Sequence, residues 1–130
     1  MAAHVIFVGT YEVPPEALNA FIAANKDMRD YVKANEPRLV SWHTYISDDR
    51  TEATTIMIHP DSDSLEYHLQ VAATRISTGV SMVRTKHMEL YGEVSEGLLS
   101  RLQTISQSSG SWPIDVKRHL HGFPEWAQQS

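Results

Sequence analysis

His68 is the residue on which a reaction could turn. It stands three or four residues from Leu65 and Ala72 in the stripe Leu65, Leu69, Ala72, Ile76, so helical periodicity puts its ring on an apolar face, turned toward whatever the helix covers. An imidazole there can take a proton from a phenol or an enol near neutral pH. The plainer reading is a core histidine satisfied by one carbonyl. Asn25 interrupts the stripe Leu18, Phe21, Ile22, Met28, Val32 in the same way. Two such helices over one sheet would bring Asn25 and His68 to one cavity; the alternative is an Asn at the stripe's margin, bonded to water. His59 ends a strand-like run before Pro60. With His4 and His68 it supplies enough imidazoles for an open zinc or iron site, but the spacing matches no ligand motif and the sequence predicts no metal. Trp42, Tyr45, Tyr67 and Tyr91 are the aromatics placed to line a flat pocket, or else to pack an ordinary core or interface.

Several chemistries are excluded at this level. The 130 residues contain no cysteine, which removes thiol nucleophiles, disulfides, Cys-ligated zinc and iron–sulfur clusters and suits a cytoplasmic protein. Eleven Lys and Arg against sixteen Asp and Glu give a net charge of −5, so neither nucleic acid nor an anionic membrane is an expected partner. No Ser-centred nucleophile elbow, Gly-rich phosphate loop or dinucleotide fingerprint occurs. The segment Met1 to Gly9 has no Lys or Arg before its short apolar run and does not read as a signal peptide. No window approaches the ~18 apolar residues of a membrane span. With 42% hydrophobic residues, the expectation is one soluble domain with a real core.

The elements that must position these residues follow from the hydrophobic pattern. Val5-Ile6-Phe7-Val8 is apolar on both parities and predicts a strand over His4 to Val13 with both faces covered. Pro15 suits the first turn of a helix, which runs to Asn35 and ends at Glu36-Pro37. Leu39 to Ser47 and Glu52 to His59 flank the polar turn Asp48-Asp49-Arg50 and predict a hairpin. Asp61 to Ser64 carries N-cap chemistry for a second helix, expected to break at Thr78-Gly79. A strand is predicted over His87 to Val94, a third helix through Leu98, Leu102 and Ile105, and an edge strand over Ile114 to Leu120. The order is β-α-β-β-α-β, which right-handed crossovers turn into a ferredoxin-like antiparallel sheet with its helices on one face. The other face is then apolar and uncovered, and a second copy of the chain is the partner that suits it.

With that order, the chain resembles the antibiotic biosynthesis monooxygenase superfamily of dimeric α+β barrels over about residues 4 to 94. In that family the third strand commonly ends in Trp, followed by an acidic loop and, nine residues on, a His on the second helix. Here His59-Pro60-Asp61-Ser62-Asp63-Ser64-Leu65-Glu66-Tyr67-His68 keeps the His at His68 and has His59 at the Trp position. Glu36-Pro37-Arg38-Leu39-Val40-Ser41-Trp42 resembles the family's Glu-Pro-Gly-Cys turn into the second strand, with Arg and Leu for Gly and Cys. An Asn that some members carry four residues before the Trp corresponds to Thr55.

The resemblance implies a homodimeric, cofactor-free monooxygenase. Its substrate would be a small aromatic, a quinol, anthrone or polyketide-like molecule, that gives an electron to O₂ from its own anion. His68 would assist deprotonation, and Asn25, Trp42, Tyr45, Thr55, His59, Tyr67 and Tyr91 would line the pocket. The alternative is a non-catalytic, small-molecule-binding or stress-associated dimer on the same barrel. Residues 1–107 form the expected domain. Residues 108–130 form an extension whose Trp112, Phe123 and Trp126 predict a docked tail, because large aromatics are costly to leave in water.

Overall fold

The computed structural model describes residues 4–124 and Trp126. The expectations for residues 1–3, the beginning of the non-signal segment, and for residues 125 and 127–130, the end of the tail, lie outside the described residues. β1 (Val5–Glu12) leads through a single 3-10 turn, Pro15–Ala17, into α1 (Leu18–Asn35). β2 (Ser41–Ile46) and β3 (Glu52–His59) form the expected hairpin, joined at Ser47–Thr51, where the Thr51 amide donates to the side-chain oxygens of Ser47 and Asp49. There follow α2 (Ser62–Val71), α3 (Ala73–Val80), β4 (Arg84–Tyr91), α4 (Glu96–Ser108) and β5 (Ile114–Lys117).

The sheet runs β2-β3-β1-β4-β5. The first four strands are antiparallel and give the ferredoxin-like order. β5 adds to β4 in parallel, which makes the sheet mixed and requires the crossover that α4 supplies. The sheet is open. Its two faces separate by strand parity. Val5, Phe7, Ala53, Met57, Met88 and Leu90 point under the helices and are buried with Leu65, Leu98 and Leu102. Ile6, Val8, Ile56 and Ile58 point the other way, where no helix covers them, and are only half-buried.

Local chemistry explains the boundaries. Asp61 caps α2, its carboxylate accepting the Ser64 N–H at 2.9 Å, and Arg38 holds that carboxylate, which keeps its pKa below the usual range. Ser95 caps α4 in the same manner. The second helix breaks at Ala72, earlier than the expected Thr78-Gly79, and α3 runs on through Gly79. Ala72 is fully buried and its N–H still bonds the His68 carbonyl, so packing and not a breaker residue turns the chain there. β4 starts three residues earlier than expected and stops at Tyr91, because Gly92 takes a φ of 119° and turns the backbone against His4, where a Cβ would collide with the His4 carbonyl. The first helix buries Phe21 and Val32 but leaves Ile22 44% exposed.

The expected boundary at 107 falls at the end of α4. Beyond it Trp112 is buried in the main core cluster and β5 joins the sheet. Past β5 the tail is largely exposed, Leu120 at 83% and Phe123 at 96%, but Trp126 returns to pack its ring on His4. None of the described helices is long and apolar enough to cross a membrane.

Candidate functional site: a cavity between sheet and helices

Under the helices lies a cavity of about 120 Å³. Its floor is Phe7, Met57 and Met88 from the central strands with Trp42 from β2; α1 contributes Phe21 and Met28, and the end of α4 with Trp112 closes one side. Apolar groups dominate this lining, so each polar group that reaches it is conspicuous. Seven do so: Tyr11 of β1, Asn25 of α1, Thr55 of β3, His68 of α2, Arg75 of α3, Thr85 of β4 and Ser109 just past α4.

His68 is 3% exposed, and its Nδ1 lies 2.8 and 2.9 Å from the two carboxylate oxygens of Glu36. Glu36 is the residue after the last turn of α1. Its N–H still bonds the Val32 carbonyl, while Pro37 forces it out of helical geometry, with φ at −127°. Its side chain therefore turns inward instead of continuing along the helix surface. Nδ1–H donates to the carboxylate, which fixes the ring at the border of the cavity. A base oriented by a carboxylate is the arrangement proton-abstracting sites use.

His59 is fully buried below α2, its ring centre 6.1 Å from that of His68. Its Nδ1 pairs with the Ser64 hydroxyl at 2.7 Å, and its Nε2 has no partner among the described residues. Burial pushes its pKa down to about 3, with His68 adding to the effect, so this imidazole stays neutral. His4 packs against Trp126 with ring centres 4.4 Å apart. Among the described residues no three His, Asp or Glu side chains come together as a metal-binding set.

Opposite His68 the polar groups are linked. Asn25 Nδ2 donates to Thr44 Oγ1 at 3.0 Å, and Thr44 Oγ1 lies 3.0 Å from Thr55 Oγ1. Burial raises Tyr11 to about 12, against a smaller lowering by Thr55. Gly9 makes room for it: a Cβ at position 9 would sit 2.5 Å from the Tyr11 oxygen.

Of the residues singled out from the sequence, the cavity gathers His68, Asn25, Trp42 and Thr55. His59 supports His68 from below without lining the space. The three tyrosines lie elsewhere. Tyr45 is 58% exposed and, opposite Thr54, belongs to the open sheet face. Tyr91 is on that face too, its hydroxyl donating to Glu89 at 2.6 Å. Tyr67 is 48% exposed on the outer side of α2. Sequence reasoning missed Glu36, Tyr11 and Thr44 as site residues. The signal for Tyr11 was present in the pattern Phe7, Gly9, Tyr11, a same-face triplet whose middle member has no side chain.

No protein-family model matches this chain, and no curated protein matches it in sequence. Solved structures match it in shape. MupZ from Pseudomonas fluorescens superposes with a TM-score of 0.72 at 17% identity, over 95% of this chain and 92% of that one. A candidate antibiotic biosynthesis monooxygenase from Caulobacter crescentus gives 0.64 at 18% identity, over 72% of this chain and 92% of its own. A variant of SnoaB, a cofactor-independent oxygenase from Streptomyces nogalater, gives 0.60 at 15% identity, over 71% and 94%. The chain thus has the ferredoxin-like α+β fold of the antibiotic biosynthesis monooxygenases.

Proposed function

We propose that this chain is a cofactor-free monooxygenase of small aromatic substrates, working in the cytoplasm as a homodimer. The observation that carries the reading is the His68–Glu36 pair, a buried imidazole held by a carboxylate at the wall of a cavity lined mostly by apolar groups. Nε2 of His68 takes a proton from the substrate's O–H or activated C–H, and Glu36 compensates the imidazolium that forms. The anion left in an apolar space is a strong electron donor, and it passes an electron to O₂. For an anthrone the overall balance is a CH₂ group becoming C=O, and for a quinol a ring C–H becoming C–OH as the quinol becomes a quinone; in both the second oxygen atom leaves as water and the substrate supplies every electron. A cavity of roughly 150 Å³ holds benzene, and this one is about 120 Å³. Single-ring substrates come closest to fitting it as it stands; a three-ring anthrone needs its walls to move.

Pairing through the open face follows from Ile6, Val8, Ile56 and Ile58, a patch too apolar to suit a monomer in water. Light scattering returning the 14.7 kDa mass of one chain would sink the dimer. The catalytic reading is tested in an oxygen electrode with a panel of quinols and anthrones. Uptake above the spontaneous rate, lowered by His68→Ala, supports it. Tight binding of the aromatics with no uptake would identify a ligand-binding protein on the same fold.

A further inference from the structure

One wall of the cavity has a place that no side chain fills. The inward side of α3 is set by Ala72, Ile76 and Gly79, at four- and three-residue spacing, with Val80 beside them. A helix that covers a core ordinarily carries a large apolar group at each such place. Ile76, Gly79 and Val80 all line the cavity, and at Gly79 the stripe is empty. A Cβ built on Gly79 would meet no atom within 4 Å.

Nothing in the fold calls for glycine here. Gly92 takes a positive φ, which Gly79 does not, and at Gly9 and Gly92 a Cβ would collide with Tyr11 and with the His4 carbonyl. Gly79 stands inside a helix, where glycine is less stable than alanine. What it leaves in return is room at the border of the cavity. The place of that room is also defined. Arg75 ties the first turn of α3 to α1, its Nε 2.9 Å from the Asp27 carboxylate and its guanidinium 4.0 Å from the centre of the Tyr31 ring. Gly79 comes one turn later and is half-buried, like Ile76 and Val80. A half-buried lining residue with nothing in front of its backbone makes this part of the border an opening.

We infer that Gly79 is a specificity-determining residue. The ring that His68 deprotonates fills the cavity, and the rest of the substrate projects past the bare backbone at position 79. The inference rests on the functional reading above for the place of the first ring. It narrows the substrate to aromatics with a second ring fused to the phenolic one, because a space of about 120 Å³ has no room for that ring unless it leaves through the gap.

The test is calorimetric binding under nitrogen with phenol and 2-naphthol, which differ by the second ring. The wild type binds 2-naphthol about tenfold tighter, since the second ring buries further apolar surface against α3. Gly79→Leu fills the gap with a good helix former and brings the two affinities within about twofold of each other. Gly79→Ala adds one methyl group, raises the melting temperature by a few degrees and reduces the preference to about threefold; it is the decisive variant if Gly79→Leu does not fold. Gly97→Ala is the control: it makes the same exchange in α4, where a Cβ sits 3.6 Å from the Glu66 carboxylate, and it keeps the full preference. Equal binding of the two probes by the wild type, a tenfold preference that survives in Gly79→Leu and Gly79→Ala, or a fall in melting temperature for Gly79→Ala overturns the inference. Because no oxygen is consumed, the two readings can fail separately. A preference controlled at position 79 with no O₂ uptake removes the oxygenase alone, and uptake with a preference indifferent to position 79 removes this inference alone.

Discussion

The two faces of the sheet are made by alternate residues of the same strands, and they differ in almost every respect. On the covered face Trp42, Thr55 and Met57 meet His68, Asn25 and Tyr11 around a small cavity. On the open face their neighbours, His43, Thr54 and Ile56, stand beside Ile6 and Val8, with Tyr45 exposed at the β2 side and Tyr91 tied to Glu89. Adjacent positions such as Thr54 and Thr55 therefore serve different purposes, one on the open face and one on the cavity's polar series. The proposed chemistry and the proposed association are divided by parity, so a substitution should disturb one and spare the other.

The largest break expected is on the covered face. His68→Ala should lower O₂-consuming turnover by about 10²- to 10⁴-fold, the range for loss of a general base, with the scattering mass unchanged. Glu36→Gln keeps the shape and removes the compensating charge, and a smaller loss is expected in the same assay. On the open face, Ile56→Asp should dissociate the proposed dimer, visible in sedimentation, because a carboxylate buried against an apolar partner face is costly. Its circular dichroism should remain that of the folded chain.

A third experiment sharpens the contrast between the two buried histidines. His59 is neutral in the fold down to about pH 3, while in the unfolded chain it takes a proton near 6.5. Between these values the unfolded state binds more protons, so this contribution to stability is complete above pH 6.5 and is lost as pH falls toward 3. Between pH 7 and 5 the loss is on the order of 2 kcal/mol. Thermal melts over that interval should show it, and His59→Asn should flatten the dependence even if it lowers the melting temperature at pH 7. The smallest effect belongs to Tyr67→Ala. That side chain lies outside both regions, and stability should change by no more than about 0.5 kcal/mol with turnover within about twofold. A larger loss of turnover would bring Tyr67 back to the site.

The strands, the hairpin and the cap at Asp61 were legible because each is written in local chemistry: β-branched runs, a polar turn, a short carboxylate before an apolar stripe. His68 and Asn25 were legible as polar interruptions of apolar stripes. Thr55 came from the resemblance to a family, not from its own pattern. Glu36 was read as the residue that ends a helix, which it is, but its carboxylate meets His68 only once α1 and α2 are packed, and no local signal carries that contact. The tyrosines misled for a related reason. Tyr45 and Tyr91 sit in strands where one position decides the face, and an aromatic is at home on either. Ala72 breaks a helix without glycine or proline because the turn is imposed by what it packs against.

One consequence of the strand order concerns the chain as it leaves the ribosome. β1 is made first and ends in the middle of the sheet, where Phe7 pairs with Met57 on one side and Leu90 on the other. Both of its edges wait unpaired while the rest of the chain emerges, and the last wall of the cavity, Leu102 to Trp112, emerges later still. A nascent or truncated chain ending before Trp112 would hold the His68–Glu36 pair against an unfinished cavity open to water. The cavity would then be complete only once Trp112 has been made, and the apolar β1 segment would be exposed to aggregation until its partners arrive.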